Sequence, residues 1–157
     1  MDAGDALYEA VRNSLEAGAR HISLTAAVHA SGVSLCVEDD GEWEVCGDPF
    51  TEGYSTRGRG RGMGLSIVRS LDRDSCIRRL DGRTVLTFRC KEGDGLGQTL
   101  ALLFSLCWSC GTALDVSIGE WKCSVEDFAG RLGALDRAEA IWKMRRELAL
   151  RLDKVEK

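Results

Sequence analysis

Two polar side chains near the start of the chain have a spacing that could serve phosphate chemistry. Glu9 and Asn13 are four residues apart in a segment whose apolar residues predict a helix over 5–18, so both project from one helical face. A carboxylate can orient and deprotonate a water molecule, and a carboxamide oxygen can coordinate a hard cation such as Mg²⁺. The alternative is that both residues are solvated on an amphipathic helix, and the pair taken alone favours that alternative.

A second candidate site is the acidic turn Asp39-Asp40-Gly41, which follows a strand predicted from the alternating apolar residues at 33–37. A carboxylate at the end of a strand can accept a hydrogen bond from an exocyclic amine. A glycine beside it lets a ligand approach the backbone closely. In isolation, a plain turn is the simpler interpretation of these residues.

A third candidate is a series of glycines at every second position, Gly58, Gly60, Gly62 and Gly64, with arginines between the first three. Glycine lets the backbone wrap around an anion, and the apolar run 65–68 predicts a helix over 63–71 whose free N–H groups face the same loop. The arrangement suits a polyphosphate. A loop rich in arginine and glycine that contacts RNA is the alternative, and the uninterrupted apolar run argues against it.

Periodicity predicts the elements that must position these residues. The helix over 5–18 is followed by strands at 21–28, 33–37 and 84–90, with a loop over 42–62. A polar stretch near 91–97 then divides the chain into two predicted units, 1–92 and 93–157. The second unit is predicted to contain an apolar helix at 99–107, strands at 113–118 and 120–123, and helices at 124–133 and 136–156.

The order of these motifs resembles the GHKL superfamily, which includes gyrase B, Hsp90, the sensor histidine kinases and the mismatch-repair ATPase MutL. Its N, G1, F and G2 boxes are similar in turn to residues 9–19, 39–41, 50–58 and 60–68. Thr84 stands where the family usually has a threonine on the adenine side. The resemblance covers residues 5–90. It implies an α/β fold: a two-layer sandwich of a mixed sheet with helices on one face, followed by an α-rich C-terminal extension.

The resemblance also implies a site for ATP and Mg²⁺. In this site Asn13 would hold the metal ion, and Glu9 would position or activate the attacking water if hydrolysis occurs. Asp39 would bind the adenine amino group, with Gly41 beneath the base and Thr84 supporting it. The residues implied for the lid and the phosphates are Arg57, Gly60, Gly62, Gly64 and Leu65.

Some features depart from the family's pattern. Trp43 stands at the second glycine of the G1 box, where an indole could narrow the pocket or displace the lid. His21 and His29 lie between the N and G1 boxes, and neither is expected to accept a phosphoryl group. The sequence has no GxxxxGK[ST] motif, so the phosphate cradle of P-loop NTPases is excluded.

Composition limits the classes of function. The 157 residues are 44% hydrophobic and 29% charged, which is typical of a globular protein. The net charge of −4 argues against general nucleic-acid or membrane-surface binding. The longest apolar stretch, 100–108, is about half of the ~20 residues needed to cross a bilayer. No secretory signal is visible and the seven cysteines are an odd number, so we expect reduced thiols and a cytoplasmic location.

The cysteines leave two chemical alternatives open. Cys107 and Cys110 form a CxxC motif with Cys123 further along the chain, which could indicate a zinc site or a redox pair. No histidine is near in sequence, and the motif lies at the end of an apolar helical pattern. We therefore favour buried thiols that act as small hydrophobic side chains.

The segment after residue 93 has a weaker signature. Residues 95–99 faintly resemble the phosphorylation site of the phosphocarrier protein HPr, but no histidine is present and phosphocarrier chemistry is excluded there. The alternative is an extension that packs on the ATPase sheet, or that binds a protein partner or a second copy of the chain. Its large aromatic residues, which suit such packing, are Trp108, Trp121, Phe128 and Trp142.

Three functions fit these observations. The first is an ATP-binding protein that hydrolyses ATP slowly, with Glu9 as base. The second is a regulatory kinase that phosphorylates a protein in trans, as anti-sigma-factor kinases of this superfamily do. The third is a non-catalytic interaction module whose pocket is degraded by Trp43. A mismatch-repair role is less favoured because the G2 box differs and the chain is short.

Overall fold

The computed structural model describes residues 2–42, 64–91 and 95–153, which form five helices and six strands. The helices are α1 (Ala3–Glu16), α2 (Gly64–Leu71), α3 (Leu96–Cys110), α4 (Val125–Leu132) and α5 (Ala138–Leu152). The strands are β1 (His21–His29), β2 (Gly32–Asp39), β3 (Cys76–Leu80), β4 (Arg83–Cys90), β5 (Ala113–Ile118) and β6 (Trp121–Ser124).

The strands form one mixed sheet in the order β3-β4-β2-β1-β5-β6. β1 pairs in parallel with β5 and antiparallel with β2, and the other neighbouring strands are antiparallel. Along β2 the buried residues alternate with partly exposed ones, and β1, β4 and β5 show the same alternation. Within the described segments, one face of the sheet is therefore covered by the helices and the other is partly exposed, which confirms the predicted α/β sandwich.

The core lies between the covered face of the sheet and the helices. α1 packs against α2 and α3, and α3 packs in turn against α5. Phe104 of α3 and Phe128 of α4 are fully buried and meet edge to face, with ring centroids 4.8 Å apart. Among the helices of the described segments, none is long and apolar enough to cross a membrane.

The segment 95–153 shares this sheet and core with the segments before it. β5 joins the edge of β1, and α3 contacts α1 directly. The boundary predicted between residues 92 and 93 thus lies between two parts of one continuous sheet. The division of the chain into units 1–92 and 93–157 stays a prediction.

β3 was not predicted from the sequence. It forms a hairpin with β4 in which Leu80 pairs with Arg83. The connecting residues Asp81 and Gly82 have φ values of 49° and 77°, as the two-residue turns that favour Asp-Gly require. The strand itself lacks alternation because it lies at the edge of the sheet, where four of its five residues are exposed.

Candidate functional site

A buried carboxylate marks the candidate site. Asp39 is the last residue of β2 and is only 3% exposed. Its Oδ2 accepts a hydrogen bond of 2.6 Å from the Ser14 hydroxyl, and its Oδ1 accepts one of 2.8 Å from the Gly41 N–H. Burying a carboxylate costs free energy unless donors are supplied. The fold supplies them from α1 and from the turn after β2, so the position of this acceptor is fixed.

Ser14 is a site residue that none of the sequence motifs indicates. α1 places it on the same buried face as Leu7 and Val11, and it is 1% exposed. Its hydroxyl also lies 3.3 Å from the carbonyl oxygen of Ala10. The sequence signal for Ser14 is its position in the apolar stripe of a predicted helix. A hydroxyl buried at such a position needs a hydrogen-bond partner.

Gly41 has a packing role as well as its bond to Asp39. A Cβ added at this position would lie 2.8 Å from the Cβ of Ala17 and 3.0 Å from the Ala17 carbonyl oxygen. That carbonyl accepts a hydrogen bond from the N–H of Glu42 at 2.8 Å. The turn after β2 is therefore pressed against the end of α1, which requires a glycine at 41 whether or not a ligand binds.

Thr84 and Arg79 extend the site across the sheet. Thr84 pairs with Asp39 between β4 and β2, and Arg79 pairs with Thr84 between β3 and β4. Thr84 is 2% exposed, and its Oγ1 accepts a hydrogen bond of 2.7 Å from Nη1 of Arg79. The same nitrogen donates to the carbonyl oxygen of Gly41 at 2.8 Å. Arg79 was missed with the edge strand that carries it.

Glu9 and Asn13 lie one turn apart on α1. Nδ2 of Asn13 donates to the Glu9 carbonyl oxygen at 2.8 Å, which leaves the carboxamide Oδ1 as the atom that could reach a cation. The Glu9 carboxylate lies 3.6 Å from Nη1 of Arg12 and remains 24% exposed. The structure thus places both side chains on the helix that also carries Ser14.

Glu9 borders a cleft between α1, α2 and α3. The cleft has a volume of about 540 Å³, and its lining includes the carboxylates of Asp2 and Asp5 along with Glu9. Asp2 and Asp5 also form the capping box that begins α1, with hydrogen bonds of 3.0 and 2.9 Å. The cleft places Glu9 where water can reach its carboxylate.

The phosphate side of the site is described only in part. Gly64 begins α2, Leu65 is buried, and α2 packs against α1. The glycine series therefore leads into a helix, as predicted. Arg57, Gly60, Gly62 and Trp43 lie outside the described residues, so their roles stay predictions.

Asp40 and His21 have structural partners. Oδ1 of Asp40 accepts the N–H groups of His21 and Arg20 at 3.1 and 2.8 Å. These bonds, that of His21 first, lower the pKa of Asp40. The His21 imidazole contacts the Asp115 carboxylate across β1 and β5. Asp40 therefore stabilises the start of β1, while Asp39 points into the site.

The cysteine pattern shows no metal site in the described part of the chain. Cys107 and Cys123 are buried and Cys110 is exposed. Burial raises the pKa of Cys107 to about 12 and that of Cys123 to about 11, so both thiols remain protonated near neutral pH. The two buried thiols act as small apolar side chains.

Replacing Ser14 by alanine should lower the free energy of unfolding by about 2 kcal/mol, since a buried bond to a carboxylate is lost. Urea denaturation measures the effect. The matched control is Ser109→Ala on α3, whose exposed hydroxyl also bonds to the carbonyl four residues earlier and should cost less than about 0.5 kcal/mol. Equal losses in the two variants would contradict a special role for the Ser14–Asp39 bond.

Comparisons with known proteins agree with this architecture. The family model described as "Histidine kinase-, DNA gyrase B-, and HSP90-like ATPase" matches residues 2–105. The match includes residues 95–99, the segment with the faint resemblance to HPr. No curated protein matches the chain.

One solved structure with a similar fold is titled "Crystal Structure of N terminal domain of a DNA repair protein". The similarity covers 89% of this chain, with a TM-score of 0.55 and 15% sequence identity. This chain spans only 58% of that structure. At such low identity the likeness is one of fold alone.

Proposed function

Because the chain belongs to the histidine kinase-, DNA gyrase B- and HSP90-like ATPase family, we propose that it binds ATP together with Mg²⁺ and hydrolyses the ATP slowly. The observation that carries the proposal is the buried Asp39 carboxylate, which is held by donors at 2.6 and 2.8 Å. A carboxylate only accepts hydrogen bonds, and its two oxygens together offer about four lone-pair sites. The adenine amino group is a donor of the required kind.

The residue that pairs with Asp39 across the sheet supports the adenine end of the proposed site. Thr84 lies beside Asp39 on the neighbouring strand, buried among apolar residues of the covered face. A base placed there would have a carboxylate and a hydroxyl along one edge, and a few such polar groups are what fix a ligand's orientation in a small-molecule site. We assign Asp39, Gly41 and Thr84 to this end.

The phosphate end is assigned to α1 and to the start of α2. The Asn13 Oδ1 is an oxygen ligand of the type that Mg²⁺ prefers, and the bond from Nδ2 to the Glu9 carbonyl orients it. When bound, the ion would neutralise charge on the phosphates. The Glu9 carboxylate borders a cleft open to water, where it can orient a water molecule and accept its proton.

Titration calorimetry of the full chain with ATP, with and without Mg²⁺, tests the proposal. We expect saturable binding of ATP that is stronger when Mg²⁺ is present, because the ion links the phosphates to the protein. Absence of any heat of binding at millimolar ATP would overturn the proposed function.

Replacing Asn13 by alanine should weaken Mg²⁺–ATP binding by about tenfold, the loss of one favourable contact of about 1.4 kcal/mol. With EDTA present, the variant and the wild type should bind ATP equally. Gln98→Ala is the matched control, because it removes a carboxamide that lines the cleft beside Glu9 and should leave both affinities unchanged. A variant that loses affinity equally with and without Mg²⁺ would show that Asn13 does not serve the metal ion.

A further inference from the structure

The Arg79 guanidinium connects two segments that border the Asp39 site. Its Nη1 donates to the carbonyl oxygen of Gly41 at 2.8 Å and to Oγ1 of Thr84 at 2.7 Å. Each terminal guanidinium nitrogen carries two hydrogens, so both hydrogens of this nitrogen are engaged. Arg79 pairs with Thr84, and Thr84 pairs with Asp39. The three residues therefore lie in one row on the same face of the sheet.

The bond from Arg79 determines how the Thr84 hydroxyl can act. Arginine has no acceptor, so Oγ1 of Thr84 accepts this bond and its proton must point elsewhere. Thr84 is 2% exposed, and its hydroxyl donates no hydrogen bond to residues 2–42, 64–91 and 95–153. The nearby positive charge also disfavours the approach of a second donor. The hydroxyl is thereby held as a donor beside the Asp39 carboxylate, which is an acceptor.

We propose that Arg79 is a positioning residue that sets the preference of this site for adenine over guanine, a role that rests on the proposed binding of ATP. Adenine presents an amino donor next to the ring acceptor N1 on its Watson–Crick edge, which is the edge that proteins read on an exposed base. Guanine presents a carbonyl acceptor next to an N1–H donor. An acceptor at Asp39 beside a donor at Thr84 complements adenine and opposes guanine at both positions.

Calorimetry of the full chain with ATP, GTP and 1-deaza-ATP tests this role. In 1-deaza-ATP a C–H group replaces N1, so the wild type should bind it about tenfold more weakly than ATP, the cost of one lost hydrogen bond. In Arg79→Met the Thr84 hydroxyl is free to turn and accept. The penalty for 1-deaza-ATP should then shrink, and the ratio of ATP to GTP affinity should fall by about fivefold to tenfold.

Two variants separate positioning from a general effect on stability. Arg78→Met is the matched control, because Arg78 precedes Arg79 on β3 and pairs with Val85 on the opposite face; it should leave the affinity ratio unchanged. Arg79→Lys should restore the ratio in part, since an ammonium group can also donate to Thr84. In a Thr84→Val background, Arg79→Met should no longer change the ratio.

The outcomes distinguish this role from the proposed function itself. If the wild type binds neither ATP nor GTP, ATP binding is wrong and the role of Arg79 falls with it. If the wild type prefers ATP and Arg79→Met lowers only the unfolding temperature, at an unchanged affinity ratio, then ATP binding stands and the role of Arg79 is overturned.

Discussion

Replacing Asp39 by asparagine should weaken ATP binding by about 100-fold, while the protein still folds. The amide oxygen can keep the bond from the Gly41 N–H, and the new amino group can donate to the Ser14 hydroxyl. Ser14 can then turn its own proton to the Ala10 carbonyl, 3.3 Å away. The unfolding free energy should therefore fall by only about 1 kcal/mol. The adenine amino group, in contrast, would meet a donor where it needs an acceptor.

Calorimetry with ATP measures the binding loss in Asp39→Asn, and urea denaturation measures its stability. The neighbouring variant Asp40→Asn is the matched control, because Asp40 accepts two backbone N–H groups through one oxygen that an asparagine retains. It should bind ATP as the wild type does. Nearly unchanged affinity in Asp39→Asn would remove Asp39 as the residue that recognises the base.

The Asp39→Asn variant tests a residue whose position in the sequence already made it a candidate site residue. A carboxylate that ends an apolar, alternating strand is a candidate site residue although a plain turn is the simpler interpretation in isolation, and the strand over 33–37 was recognisable because each alternate residue is buried. The order of this turn after the Glu9–Asn13 helix and before the glycine series indicated the family, which the match over residues 2–105 confirms. Local periodicity and motif order were sufficient to indicate the family, and the role of Asp39 stays a prediction.

The contacts that organise the site depend on pairing between distant segments, and local patterns do not specify such pairing. Ser14 donates to Asp39 from 25 residues away in sequence. This role of Ser14 becomes apparent only when α1 lies on the sheet. Arg79 reaches Gly41 from an edge strand whose residues are mostly exposed. Because burial does not impose alternation on such a strand, its sequence carried no clear signal.

The placement of the C-terminal segment depends on pairing of the same kind. The strand at 113–118 was predicted, but its parallel pairing with β1 was not. A parallel neighbour requires a crossover connection, and α3 provides it while packing against α1. Residues beyond 95 therefore support the helix that carries Glu9 and Asn13. Trp142 and Leu150 of α5 are exposed. Binding of a protein partner or of a second copy of the chain through this segment stays a prediction.

Replacing Glu9 by glutamine should slow ATP hydrolysis by about 10²- to 10⁴-fold, the usual contribution of a general base. Glutamine keeps the length and polarity of the side chain but cannot accept the proton of the attacking water. ATP affinity should remain at the wild-type level, because the proposed contacts to the base and the metal ion come from other residues. Single-turnover release of inorganic phosphate measures the rate, and calorimetry measures the affinity.

Glu16→Gln is the matched control for this variant. Both glutamates lie on α1 and both pair with Arg12, at 3.6 Å for Glu9 and 3.5 Å for Glu16, so either substitution removes one carboxylate from the same arginine. Of these two glutamates only Glu9 borders the cleft, and only the loss of Glu9 should slow phosphate release. Equal turnover in the two variants would exclude Glu9 as the base. If the wild type releases no phosphate but labels a partner protein, phosphoryl transfer in trans replaces hydrolysis as the function of the bound ATP.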